Sequence, residues 1–435
     1  MRRATSIVTM VLTIVLGGDL AAGEALRGEI AERAEEVMPK VVEWRHDIHR
    51  HPELSNREHR TAALVAEHLR ALGLDRVDTG VAHTGVVGVL VGGQPGPTVA
   101  LRADMDALPV VERTGLPYAS TVTTTYNGEE VGVMHACGHD AHVAILMGVA
   151  ELLAGMRDEL PGTVKFVFQP AEEGPPPGET GGAKLMVEEG VLEDPAPEAI
   201  FGLHVWPGPP GWVGYREGGA LAAADELFIT VRGRQTHGSA PWMGIDPVIA
   251  AAHVMVALQA IPSRQLDVTR APAVVSIGSI HGGVRGNIIP DDVEMSGTVR
   301  TFDTEMRDDF LRRIRRTAEN VAASFGATAE VSLGGHAPVT YNDPALTRRM
   351  VPTLEWAGGE ERSGVMPRVM GAEDFSYFQR QIPGLYFVLG VNEEGVEVSE
   401  AAPNHSPLFR VNDEALVVGV RALAALAVDY LEKGG

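Results

Sequence analysis

The densest chemistry in this chain lies in His135-Ala136-Cys137-Gly138-His139-Asp140-Ala141-His142, which holds the single cysteine among 435 residues. Thiolate and imidazole bind the same borderline-soft divalent cations, so Cys137 and His139 read as candidate metal ligands. Three further segments extend the donor set: Pro170-Ala171-Glu172-Glu173-Gly174, Gly202-Leu203-His204 and Asn404-His405-Ser406-Pro407. Together they offer one thiolate, three imidazoles and two carboxylates. Adjacent carboxylates push one pKa upward unless a positive charge separates their tasks. Next to a metal, one Glu can ligate while the other stays available to take a proton from an acidified water and later hand it to a leaving group. Five ligand atoms exceed the four of a single tetrahedral site. A two-metal centre with one shared ligand accounts for the number better.

These residues must be brought together by the elements around them. Ile30, Ala34, Val37, Val41 and Trp44 recur at helical spacing over residues 27–50, and Pro52 stops that helix. His46, His49 and His51 sit at its end, where cations are favourable. A second helix is expected over Arg57–Leu72. Apolar runs at Gly85–Val91, Thr98–Arg102, Thr163–Gln169 and Ala199–His204 read as buried strands, and helical patterns at His142–Leu153 and Ala183–Glu189 separate them. Such alternation predicts an α/β layer with a mostly parallel sheet, whose functional groups gather at the carboxyl ends of its strands. Asp104, the Glu172–Glu173 pair and His204 each fall just past an expected strand. From about Gly218 the pattern changes to strand Leu227–Val231, helix Pro247–Ala260, strands Ala273–Ile280 and Asp292–Thr301, helix Thr304–Phe325 and strand Ala329–Leu333. That order is the ferredoxin-like split β-α-β. Leu385–Leu389 supplies another strand to the first domain, and Glu414–Leu431 a closing helix. The expected fold class is therefore α/β: a mostly parallel mixed-sheet domain (24–217 and 335–435) with an inserted ferredoxin-like α+β domain (218–334).

Composition narrows the partners. Apolar content of 45% and charged content of 22% are those of an ordinary globular protein. The net charge of −22 argues against nucleic acid or an anionic membrane as partner, since phosphate binding needs a basic face. One cysteine excludes an internal disulfide framework. Residues 1–23 read as an export signal: Met1-Arg2-Arg3, then an apolar run Ser6–Leu16 shorter than the ~20 residues a bilayer requires, then small residues at Ala21-Ala22-Gly23. An exported protein, periplasmic or secreted and free of the membrane once mature, is the expectation.

The motifs in combination resemble the M20 metallopeptidase clan, and within it the amidohydrolase branch of hippurate hydrolases, N-acyl-amino-acid amidohydrolases and auxin-conjugate hydrolases. The matching segments are Arg45–Leu54, Leu101–Pro109, the Cys137 segment, Phe168–Glu173, Gly202–His204, Gly371–Phe375 and His405. The resemblance implies that Cys137 bridges two divalent ions (Zn, Mn, Ni or Co), with Glu173 and His405 completing one site and His139 and His204 the other. It implies Glu172 as general base and acid. The clan's His-x-Asp appears here as Arg102-Ala103-Asp104, which makes Asp104 an orienting residue behind a ligand. In the inserted domain, which acts as lid and dimerisation element in the clan, the resemblance points to His237 for the oxyanion and to Asn287 and Arg300 for substrate contacts. A small-molecule amide, the N-acyl or N-aroyl derivative of an amino acid, is the implied substrate, and a homodimer is the assembly such inserted domains often make. A dipeptidase, a carboxypeptidase or an N-acetyl-diamino-acid deacetylase of the same fold fits the same residues. A cysteine hydrolase built on Cys137 and a non-catalytic metal-binding module are the readings from other classes. Retention of Glu172, which has no ligand task, argues against the second.

Overall fold

The structure, a computed structural model, describes residues 5–432, with side chains described from residue 25 onward except at 335 and 336. The leader expected over 1–23 lies outside the residues whose side chains are described. The chain divides into two compact units: Met1–Tyr215 with Ala345–Val365 and Ile382–Gly435, and Arg216–Pro344 with Met366–Gln381.

The first unit is built on an eight-stranded mixed sheet in the order Arg76–Val81, Gly85–Val91, Pro161–Gln169, Gln94–Asp104, Ala199–Trp206, Gly384–Gly390, Val213–Tyr215, Ser363–Val365. The four strands from Pro161–Gln169 to Gly384–Gly390 run parallel, with Asp104 opposite Gln169, Leu101 opposite Phe201 and Val388 opposite His204. Antiparallel pairings flank this run on both sides. Continuous apolar sequence suits strands covered on both faces, and Phe166, Phe168, Leu101, Phe201 and Phe387 are fully or almost fully buried. Helices Thr5–Arg50, His139–Gly155 and Leu416–Glu432 pack against one another, and the last two cover the sheet. The second of these is buried nearly throughout, its polar residues confined to His139, Asp140 and His142 in the first turn and Glu151. Shared strand direction brings Asp104, the segment after Gln169, and the His204 end to one rim of the sheet.

The histidines expected as helix-end cations include one with a deeper role. His49 is buried and stands 2.9 Å from Asp140 through Nδ1 and 3.2 Å from Glu112 through Nε2. Arg45 reaches the same Asp140 at 3.1 Å and also pairs with Asp413. His46 meets Asp413 at 2.7 Å and stacks on Tyr118. Burial alone lowers the His49 pKa, but the Asp140 charge and the hydrogen bonds outweigh it and raise the value to about 9. Because the folded value lies above the ordinary 6.5, this stabilisation is fully present below about pH 6.5 and is lost as pH rises through about 9. The expected result is that the urea midpoint of the native protein drops between pH 7 and pH 9.5 more steeply than that of His49→Gln. Complete loss corresponds to roughly 3 kcal/mol. Parallel pH profiles for the two proteins would contradict the assignment.

The second unit is a four-stranded antiparallel sheet in the order Ala273–His281, Asp292–Thr301, Ala223–Arg232, Thr328–Ala337, with helices Pro247–Arg264 and Thr304–Ser324 between strands in the chain. It has the β-α-β-β-α-β order read from the sequence. Leu227, Ile229 and Val231 alternate into the core while Glu226 and Phe228 face out, the period-2 signature of a sheet covered on one face. Asp246 and Asp303 cap the two helices through backbone N–H groups of the first turn. The segment Met366–Gln381, expected with the first domain, belongs to this unit. Its backbone explains why: Ala222 N–H donates to the carbonyls of Val369 and Gly371, Val369 N–H to Ala220, and the Thr340 hydroxyl to the Glu373 carbonyl. Among the described residues no helix is long and apolar enough to cross a membrane.

Candidate metal centre

The Cys137 loop ends at Gly138, whose φ of 92° starts helix His139–Gly155 from the left-handed region. A Cβ there would lie 2.3 Å from Val205 Cγ2, so both the conformation and the space demand glycine. Ligand atoms of Cys137, His139 and His204 lie within 4.8 Å of one another, as do those of Cys137, Glu173 and His405. Cys137 belongs to both groups. All five donors read from the sequence are thus gathered at the sheet rim as two sets with one shared thiol. Cys137 Sγ is 3.4 Å from His204 Nε2, and His405 Nε2 is 3.0 Å from Glu173 Oε1.

Each donor is aimed by its neighbours. His204 donates Nδ1–H to the Val205 carbonyl at 2.7 Å, leaving Nε2 toward the thiol. Asn404 Nδ2 donates to the carbonyls of Cys137 (3.0 Å) and Val205 (3.2 Å), and His405 N–H to that of Ala136 (2.8 Å), which ties the His405 turn to the Cys137 loop. Ala171 and His405 both hold left-handed backbones, φ 52° and 68°. Such strain in non-glycine residues costs roughly 1–3 kcal/mol and persists only where the surroundings enforce it. At Ala171 the enforcement is visible. Its N–H donates to Glu58 Oε1 at 2.9 Å, and the next two, of Glu172 and Glu173, donate to the two oxygens of Asp106 at 3.1 and 3.0 Å. Glu58 also accepts from the Thr84 hydroxyl, and Asp106 from that of Ser55.

Asp104 is buried beside Arg102 (2.7 Å) and accepts from His142 Nδ1 at 2.5 Å. Burial opposes its ionisation, but Arg102, His139 and His142 outweigh burial and hold the carboxyl well below its usual range. His142 Nε2 in turn accepts the Val205 N–H at 2.9 Å. Asp104 therefore steadies the strand end that carries His204, while the carboxylate nearest His139 Nδ1 is Asp106, at 3.3 Å. His142, Asn404 and Asp106 lie inside segments that the sequence singles out, yet no role of theirs follows from it, nor does one for Glu58. Asp106 follows Asp104 by two residues within Leu101–Pro109 and is legible there; nothing local marks Glu58.

Electrostatics test whether cations fit here. His139 is fully buried, yet neither ring nitrogen has an aligned hydrogen-bond partner. Burial lowers its pKa, but Asp104, Asp106 and Glu173 raise it to about 10. Burial first, then Glu173, Glu172 and Asp104, push the Cys137 thiol well above its ordinary range. Burial and His142 keep His204 neutral, as a ligand must be. A pocket that crowds carboxylates around a thiol and leaves a buried imidazole without an aligned hydrogen bond is short of positive charge. Divalent cations supply it and deprotonate a coordinating thiol outright, so the residues fit the metals. Glu172 Oε2 lies 4.0 Å from His139 Nε2 at the edge of this cluster.

His237, Asn287 and Arg300 lie on the second unit. His237 is exposed and its Nδ1 accepts from the Ser239 N–H (3.0 Å) and hydroxyl (2.8 Å). The backbone brings it beside Asn287, whose carbonyl accepts from Gly238 N–H at 2.8 Å. Arg300 is half-buried on strand Asp292–Thr301 and donates to the Thr298 hydroxyl.

Residues 100–429 match the model of "Peptidase family M20/M25/M40". The chain belongs to this family. Thermostable carboxypeptidase 1 of Saccharolobus solfataricus is 41% identical over 94% of the M20 chain and 99% of its own length. N-acetylcysteine deacetylase of Bacillus subtilis is 38% identical over 90% of the chain and 97% of its own. Among solved structures, the Bacillus subtilis YXEP protein, described as a dinuclear metal binding peptidase from the M20 family, superposes with a TM-score of 0.75 at 36% identity, covering 92% and 99% of the two chains. The M20 chain falls with the amidohydrolase branch of the family, and its fold is the family's mixed α/β fold.

Proposed function

We propose that this M20 hydrolase cleaves the amide of N-acyl or N-aroyl amino acids, or similar small conjugates, at two divalent ions (Zn, Mn, Ni or Co). The single observation that carries the reading is the pair of donor sets sharing Cys137, with Glu172 beside them. Glu173 and His405 would hold one ion, His139 and His204 the other, and Cys137 both. When bound, the ions supply Lewis acidity and lower the pKa of water. Glu172 accepts a proton from the water as its oxygen adds to the carbonyl carbon. The carbon–nitrogen bond then breaks as Glu172 returns the proton to nitrogen, releasing an amine and a carboxylic acid, which ionises by giving its proton to solvent. From the family resemblance, His237 is the proposed oxyanion donor and Asn287 and Arg300 the proposed substrate contacts; a homodimer and an exported location complete the reading. The carboxypeptidase name of the Saccharolobus relative supports the second reading, a peptidase of the same fold, with an N-acetyl-diamino-acid deacetylase beside it.

A panel of N-acetyl, N-benzoyl and N-indoleacetyl amino acids against dipeptides and N-acetyl-diamino acids separates these. Hydrolysis of the N-acyl amino acids is expected, abolished by a chelator and restored by metal. Activity that survives complete chelation but not thiol alkylation would overturn the reading in favour of a cysteine hydrolase.

A further inference from the structure

Three successive backbone N–H groups, of Ala171, Glu172 and Glu173, converge on two buried carboxylates, Glu58 and Asp106. Such a run of N–H groups is an anion-binding nest, filled here by the protein's own side chains. Asp106 takes two of the three and also stands 3.3 Å from His139 Nδ1. Glu58 takes the first, at 2.9 Å, and its other oxygen accepts from the Thr84 hydroxyl at 2.5 Å. Neither of its partners is a metal donor. Keeping this second carboxyl is unfavourable: burial, and after it the charge of Asp106, raise the Glu58 pKa to about 7. What the fold gains is an acceptor for the N–H of Ala171, held at φ 52°. The same short segment closes the far end of the loop. Asn56 Nδ2 donates to the Thr180 carbonyl at 3.0 Å, and Arg57 pairs with Glu179 at 2.6 Å. The chain returns so close that a Cβ at Gly181 would lie 3.2 Å from that of Ala171 and 2.7 Å from Asn56 Oδ1. Residues 56–58 thus hold the loop 171–181 at both ends.

We propose that Glu58 is a positioning residue for the reaction: by accepting the Ala171 N–H it locks the left-handed backbone that aims Glu172 for proton transfer. The inference rests on the role given to Glu172 above. The torsions at Ala171 set the direction in which the Glu172 side chain leaves the main chain. A left-handed alanine is unfavourable on its own, so without its acceptor Ala171 relaxes to negative φ and swings Glu172 with it. Glu173 lies one residue farther on. Its N–H stays on Asp106, and its carboxylate is held by an ion when one is bound. Proton transfer therefore suffers before metal binding does, and an offset near 1 Å costs on the order of 10²-fold in rate.

Two variants separate reach from charge. Glu58→Gln loses the charge but keeps an oxygen for the Ala171 N–H and an amide NH2 for the Thr84 oxygen. Glu58→Asp keeps the charge but withdraws it by one carbon–carbon bond, beyond hydrogen-bond reach of Ala171. With the metal-loaded proteins and an N-acyl amino acid, Glu58→Gln is expected to retain at least roughly a third of native kcat. In Glu58→Asp kcat falls at least roughly tenfold, with KM within a few-fold of native and metal content unchanged. Adding Ala171→Gly to Glu58→Asp recovers at least roughly threefold, because glycine takes the left-handed backbone without an acceptor to hold it. A glycine would not cure a general loosening of the fold. Equal kcat in the two Glu58 variants, the reverse order, or no recovery with Ala171→Gly overturns the proposal and leaves the amidohydrolase reading intact. Hydrogen exchange of the peptide carrying Ala171–Glu173 gives a readout independent of turnover, faster in Glu58→Asp and near native in Glu58→Gln. If the native protein hydrolyses no amide, the amidohydrolase reading falls, and the exchange order alone decides whether Glu58 holds the turn. Equal exchange in all three proteins means that it does not.

Discussion

Replacing Glu172 by Gln leaves the metal content of the protein unchanged and lowers kcat by roughly 10²–10⁴-fold, toward the upper end because one carboxylate serves both proton transfers. The substitution keeps the shape and volume of the side chain and removes only the ability to take a proton. The turn that carries it depends on backbone N–H groups held by Glu58 and Asp106, and none of those bonds involves the Glu172 side chain. Fold and donor geometry therefore survive. KM for a good substrate stays within a few-fold, because the lost interaction belongs to the transition state. Elemental analysis and steady-state kinetics on the same preparation check this. A Glu172→Gln protein with near-native kcat, or one that has lost metal, would move the proton-transfer role elsewhere or turn Glu172 into a ligand.

Cys137→Ala has an effect of comparable size for a different reason. The thiol belongs to both donor sets, so its removal takes one ligand from each ion at once. It also deletes the group whose ionisation buffers the local positive charge. Metal content falls at both sites, and activity falls by more than the roughly 10–100-fold that losing an outer-shell partner costs. His405→Ala provides the contrast, since it touches only the set with Glu173; this variant keeps about half of the metal. Measured stoichiometries that fall together in Cys137→Ala and separately in His405→Ala support a shared donor. Full metal retention in Cys137→Ala, with activity lost, would instead point to a nucleophilic thiol.

Much of this centre could be read from residue types because its donors are rare and clustered. A lone cysteine between histidines, a Glu pair, His204 at the end of an apolar run and His405 in a loop leave few alternatives, and the parallel strands explain why the Glu pair and His204 share one rim. The supporting shell was harder to read. Asp106 and Glu58 act on backbone N–H groups across 66 and 113 residues of chain, and such contacts leave no periodic trace. His49 looked like a helix-end cation because its true partners, Asp140 and Glu112, come from elsewhere in the chain. Nothing in the sequence announces the hairpin Thr123–Tyr126/Glu129–Gly132, since its strands, Thr-Thr-Thr-Tyr and Glu-Glu-Val-Gly, are short, largely exposed and lack alternation. Segment Met366–Gln381 follows the returning chain in sequence and so reads with the first unit, while the backbone pairing that ties it to the second is announced by no motif.

Gly138 carries a lesson for anyone who would re-engineer this pocket for another ion. The residues on either side of it are, in principle, exchangeable: an oxygen donor at 137 or 139 would retune affinity toward harder cations. The spacer between them is not. With its α-carbon pressed toward Val205 and its torsion reserved for a residue without a side chain, position 138 fixes the angle from which any new pair of donors arrives. Libraries that diversify this loop should keep it constant and spend their variety on its neighbours.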